Sequence, residues 1–72
     1  MAEGIQIQVN GERRCCSAGA TVGDLLRELA IKPERVAVEL NLEIQDRATF
    51  DQRLLKDGDR LEILGFIGGG SL

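Results

Sequence analysis

Near the start of the chain, apolar Ile5, Ile7 and Val9 alternate with polar Gln6 and Gln8. A period of two sends successive side chains to opposite faces, so residues 5–9 are predicted as a half-buried strand. Asn10-Gly11 follows, and both residue types accept the positive φ that a two-residue hairpin needs. That loop length sets a register: Val9 opposite Glu12, Ile7 opposite Arg14 and Ile5 opposite Cys16. The returning strand, residues 12–16, then carries Cys16 to the core face. Arg14 is left to run its aliphatic stem along the core edge.

After the Ser17-Ala18-Gly19-Ala20 turn the period changes. Val22, Leu25, Leu26 and Leu29 fall at i, i+3, i+4 and i+7, the apolar stripe of a short amphipathic helix. Thr21 is its expected N-cap, and Asp24 places negative charge in the first turn. Lys32-Pro33 is expected to end it, because a residue before proline is pushed out of the helical region. Alternation returns with Val36, Val38 and Leu40 against Ala37 and Glu39, a third strand. Asn41 permits a turn, and Glu43-Ile44 reads as a brief extended piece. Residues 45–56 show no regular period, with Phe50, Leu54 and Leu55 as expected core anchors. Asp57-Gly58-Asp59 reads as a turn, and residues 60–64 as the last strand with Leu61 and Ile63 inward. These elements add up to an α+β fold. A mixed sheet of four to five strands with one main helix packed across it, the β-grasp (ubiquitin-like) arrangement, uses all of them.

At 72 residues the chain is one domain. A chain this short buries only about 60% of the surface its unfolded form exposes, so its core must be efficient. Phe50 and Phe66 are the two aromatic residues, which makes that core mainly aliphatic. A net charge of −3 and scattered basic residues argue against nucleic acid as a partner. With no long apolar run and no basic, apolar leader at the start, the expectation is a cytoplasmic protein without membrane contact. The chain has no histidine, which removes the usual general base, the Cys-His dyad and most zinc sites. Cys15 and Cys16 are adjacent, so in a strand they face opposite ways and neither bridge nor chelate together. Cys16 is expected as a small core hydrophobe. The carboxylates Asp57, Asp59 and Glu62 are expected to be solvated. No catalytic residue, no metal site and no bound cofactor is expected.

The chain ends Gly65-Phe66-Ile67-Gly68-Gly69-Gly70-Ser71-Leu72. Glycine costs roughly 0.5–1 kcal/mol relative to alanine inside a helix or strand, so a triple glycine does not serve to build either. Residues 1–65 are therefore assigned to the domain and residues 66–72 to a flexible tail. Extended, the six residues from Gly65 to Gly70 reach ~20 Å past the last strand. Gly68, Gly69 and Gly70 have no side chains to obstruct a narrow channel. Phe66 and Ile67, bulky and apolar just before them, are the expected docking contacts for a partner, each able to contribute roughly 1.5–3 kcal/mol on burial.

These features resemble the ThiS/MoaD family of ubiquitin-like sulfur carriers, and its ThiS branch most. The resemblance spans essentially the whole chain. It rests on the Ile-x-Ile-x-Val-Asn-Gly opening, the helix entry from Ala18 to Leu26 and the Val36-Ala37-Val38-Glu39-Leu40-Asn41 strand. The Leu55-x-Asp57-Gly58-Asp59 turn and the Phe66-Ile67-Gly68-Gly69-Gly70 end complete it. It implies a carrier, not an enzyme, whose terminal glycine carboxylate is the working group. The implied partners are a ubiquitin-activating-type adenylating enzyme of the ThiF/MoeB kind, which uses ATP, and a cysteine desulfurase or sulfurtransferase. The acceptor in the thiamin branch is a thiazole synthase of the ThiG kind. Mapped onto this chain, Gly70 is the residue adenylated and converted to a thiocarboxylate, with Gly68 and Gly69 as its channel-fitting neighbours. Such carriers finish at the diglycine, whereas Ser71 and Leu72 follow here. Removal of this pair by a protease, such as a metalloprotease, is the expected route to the working form; a divergent relative is the other explanation. Sulfur delivery to molybdopterin or cysteine biosynthesis, and a non-carrier ubiquitin-like interaction module, remain open at this point.

Overall fold

The structure, a computed structural model, describes residues 4–65. Strands β1 (Gly4–Val9) and β2 (Glu12–Ser17) form an antiparallel hairpin with Ile5 opposite Cys16, Ile7 opposite Arg14 and Val9 opposite Glu12. This is the register that a two-residue turn dictates. Asn10 and Gly11 take φ of 52° and 85°, the left-handed pair that such a turn requires.

Helix α1 (Val22–Glu28) starts at a complete capping box. The Asp24 N–H donates to Thr21 Oγ1 at 3.0 Å, and the Thr21 N–H donates to Asp24 Oδ2 at 3.0 Å. The backbone hydrogen bond from Thr21, and after it the one from Arg27, holds the Asp24 carboxyl below its ordinary pKa.

The end of α1 differs from expectation. The helix stops at Leu29, four residues before Pro33, and Ala30 adopts a left-handed φ of 59°. The Ile31 N–H bonds back to the Leu26 carbonyl at 2.9 Å and the Ala30 N–H to the Arg27 carbonyl at 3.1 Å. These are the paired bonds of a Schellman motif, which satisfy the last helical carbonyls before proline is reached. Leu29 and Ile31 pack against the core on either side of the reversal. Pro33 instead opens a short 3-10 turn, Pro33–Arg35.

Strands β3 (Val36–Leu40), β4 (Glu43–Ile44) and β5 (Arg60–Gly65) complete a five-stranded sheet in the order β2-β1-β5-β3-β4. β5 is central, parallel to β1 and antiparallel to β3. One helix covers one face of a mixed sheet, so the fold is α+β with the β-grasp architecture. The core joins Ile7, Leu61, Val36, Val38 and Leu40 of the sheet to Val22, Leu25 and Leu26 of the helix. Phe50 and Leu55 close it from the long connection, each 4% exposed.

Leu54 is a correction: it is 54% exposed and bridges Thr21 only through its backbone. Leu54 and Leu55 are neighbours in extended chain, so only one of them can face inward.

Ala30 holds a conformation that costs an L-residue roughly 1–2 kcal/mol relative to the right-handed one. Ala30→Gly should therefore raise stability by about 0.5–1 kcal/mol, the strain relieved exceeding the added unfolded-state entropy. Urea denaturation read by circular dichroism checks this.

Candidate functional site

The described chain ends at Gly65, the last residue of β5, so the site reachable in this structure is the root from which residues 66–72 continue. β5 owes its position to both neighbours. Along β3, Val36 lies opposite Gly65, Val38 opposite Ile63 and Leu40 opposite Leu61. Along β1 the ladder is shorter, with Gln8 beside Arg60 and Val9 beside Leu61.

Side chains extend that short ladder. The Ile63 N–H donates to Asn10 Oδ1 at 2.7 Å, and Asn10 Nδ2 donates to the Ile63 carbonyl at 3.3 Å. The Asn10 N–H itself donates to the Leu61 carbonyl at 2.9 Å. The amide of Asn10 thus acts as one more residue of β1 after the backbone has turned away into the hairpin.

Asn41 does similar work on the other side. At φ 51° it turns the chain out of β3, accepts from the Arg60 N–H at 3.0 Å and donates through Nδ2 to Asp59 Oδ1 at 3.0 Å. Its own N–H reaches the Arg60 carbonyl at 2.8 Å. Two asparagines at left-handed turn positions therefore hold β5 from opposite sides.

Asp59 is a second correction to the sequence expectation. It is only 9% exposed, and its carboxylate accepts from the Lys56 N–H at 2.8 Å as well as from Asn41. Asp57 is exposed, yet it accepts from the Gln6 N–H at 2.8 Å while the Gly58 N–H donates to the Gln6 carbonyl at 2.7 Å. The Asp57-Gly58-Asp59 turn is stitched to β1 and to the β3 turn, and it fixes where β5 begins. Glu62 stays exposed, as expected.

The two cysteines are free thiols on opposite faces: Cys15 is exposed and Cys16 half-buried against the core. Burial, and then the nearby Glu28 carboxylate, push the Cys16 thiol above its ordinary pKa. Among the described residues no group of three metal-ligating side chains comes together, and no helix is long and apolar enough to cross a membrane. The docking pair Phe66 and Ile67, the glycines Gly68, Gly69 and Gly70, and the extension Ser71-Leu72 lie outside the described residues. What the structure adds is the rigid root on which they are mounted. The sequence marks Asn10 and Asn41 as turn residues, but not that their side chains bond to β5; an Asn at the first turn position after a strand is the signal for that second role.

Comparison with known proteins decides the family. The model of the ThiS family matches residues 7–70, most of the chain. The chain belongs to the ThiS family. The ThiS crystal structure from Geobacter metallireducens superimposes with a TM-score of 0.79 at 39% identity, covering 92% of this chain and 100% of that one. The sulfur carrier protein ThiS of Escherichia coli is 33% identical over 66 residues, which span 92% of this chain and the whole of that protein. A thiazole synthase of Paramagnetospirillum magneticum is 49% identical over 67 residues, 93% of this chain but 21% of its own length. The chain thus spans about a fifth of the thiazole synthases it matches.

Two outcomes follow for this ThiS-family root. Asn10→Gly keeps the turn's left-handed φ but removes both side-chain bonds to Ile63, so it should cost about 1–2 kcal/mol in denaturant unfolding. Limited alkylation with iodoacetamide at neutral pH, mapped by peptide mass spectrometry, should label exposed Cys15 about tenfold faster than Cys16.

Proposed function

We propose that this chain is a sulfur carrier of thiamin biosynthesis whose working group is a thiocarboxylate on Gly70. The observation that carries the reading is the family match itself, which runs through the triple glycine and ends at Gly70, leaving Ser71 and Leu72 beyond it. The fold supports it. The central strand of the sheet, held on both sides, leads directly into a segment of two apolar residues and three glycines.

A carboxylate is a poor acyl electrophile and has no sulfur to give. An adenylating enzyme of the ThiF/MoeB kind overcomes this. The Gly70 carboxylate attacks the α-phosphorus of ATP, pyrophosphate leaves, and an acyl-adenylate with a good leaving group remains. The terminal sulfur of a persulfide carried by a cysteine desulfurase or sulfurtransferase then attacks the carbonyl carbon and AMP leaves, giving an acyl disulfide. A second partner thiol reduces its S–S bond, releasing the thiocarboxylate and leaving the two partner sulfurs as a disulfide. The resulting thiocarboxylate is a nucleophilic sulfur donor. Phe66 and Ile67 dock the tail, Gly68 and Gly69 pass the channel, and the partners supply the catalysis in the cytoplasm. The carrier holds no cofactor of its own.

Two observations favour thiazole formation as the destination. Segments similar to this chain occur within longer proteins named thiazole synthase, and the similar Geobacter structure is named a thiamine biosynthesis protein. A thiazole synthase is accordingly the acceptor in this reading, and Ser71-Leu72 is removed, by a metalloprotease or another protease, before activation.

Intact mass spectrometry of the protein recovered from its host should find a form ending at Gly70, part of it with one oxygen replaced by sulfur. Gly69→Ala and Gly70→Ala, made in the form ending at residue 70, should lower adenylation by about a hundredfold, the scale of loss when a reacting group is misplaced by about an ångström. Their unfolding curves should match the parent's. Retention of Leu72 in every native molecule, together with no adenylation of the form ending at Gly70, would sink the proposal.

A further inference from the structure

Beside the root of the tail lies an open apolar groove of about 610 Å³, walled by Leu29 and Ile31 on one side and by Val36, Ile63 and Gly65 on the other. Its origin is local. The Schellman turn ends α1 early and brings Leu29 and Ile31 over the end of the sheet, where they remain half-buried. Opposite them β5 finishes in Gly65, which contributes no side chain to fill the space.

Strand alternation says what comes next. Leu61 and Ile63 face the helix, and so does position 65, directly opposite Val36. Leu64, 45% exposed, faces the other side, opposite Ala37. Continued at the same period, the chain would carry Phe66 to the open face beside Leu64 and return Ile67 to the groove side, at most ~7 Å of chain beyond Gly65. We propose that this groove seats the Ile67 side chain of the chain's own C-terminal segment.

Ile67 is the favoured occupant because it is already tethered at the groove wall. A two-residue link gives an effective concentration on the order of millimolar, which no free partner need be present to match. Seating Ile67 leaves residues 68–72 projecting from a defined edge. It also means that any protein drawing the tail into its own channel must first lift Ile67 out. This inference stands on the groove and the strand period alone and does not depend on the carrier reading.

Methyl-labelled NMR of the full chain tests it at two protein concentrations. Nuclear Overhauser contacts should join the Ile67 methyls to those of Leu29 and Ile31, at intensities that report a seated form in about tenfold excess over a free one, the order expected for partial burial of one isoleucine. Ile67→Ser should abolish these contacts and move the Leu29, Ile31 and Val36 methyl shifts, while Phe66→Ser leaves them in place. Both substitutions lie outside the core, so loss of folding does not blur the result. Absence of any Ile67 contact with unchanged shifts in Ile67→Ser overturns the proposal. So do contacts from Phe66 in its stead, and so do groove shifts that vary with concentration, which would place a second copy there.

Discussion

The central position of β5 is the constraint on which the rest of the molecule depends. A strand that is last in sequence but middle in the sheet must be inserted between β1 and β3, and most of its contacts span large sequence separations. The hydrogen bond between Ile63 and Asn10 joins residues 53 apart. Loop-closure entropy opposes such contacts until several form together. The chain meets this with redundancy. Each side of β5 has a backbone ladder and an asparagine amide, and a buried aspartate ties the strand's start to the turn after β3.

Asn10 and Asn41 can do two jobs at once because of what asparagine is. Its short amide tolerates the left-handed φ of a tight turn, and it offers an acceptor and a donor spaced like those of a peptide unit. Glycine would make the turns equally well and leave β5 partly unbonded. Asp59 adds a carboxylate acceptor where the Lys56 N–H and the Asn41 amide converge. Charge-assisted bonds of this kind contribute about 1.5–3 kcal/mol each, a large share of the stability of a domain this small.

Much of the fold was legible in the sequence because its signals are local. The two-residue hairpin set the β1-β2 register, the period of two marked the strands, and the Thr21 to Asp24 spacing marked the start of the helix. The reading went astray where tertiary contacts decide. Ala30 stands where a helix stop is usually announced by glycine, so the reversal at residue 30 was hidden and Pro33 took the credit. Leu54 and Leu55 are alike in composition, and only packing shows which one faces in. Asp59 looked like any acidic turn residue until Asn41, 18 positions away, was brought beside it. For the candidate site the position is reversed. Residues 66–72 were read entirely from residue type and family likeness, and the described structure supplies their root instead of their geometry.

That root bears on how a glycine segment can work at all. Each glycine has more conformational freedom to lose on entering a channel than any other residue, so an all-glycine lead is entropically expensive to order. In the proposed carrier role, the compensation lies upstream. A strand fixed in the middle of a sheet presents the tail from one point and in one direction, so a partner that grips the domain meets a chain whose origin is already set. Freedom is then confined to the few residues that need to be thin. A tail mounted on an edge strand, with one neighbour fewer and no second asparagine, would carry its uncertainty of position into every encounter. The centre of the sheet is where that uncertainty is smallest.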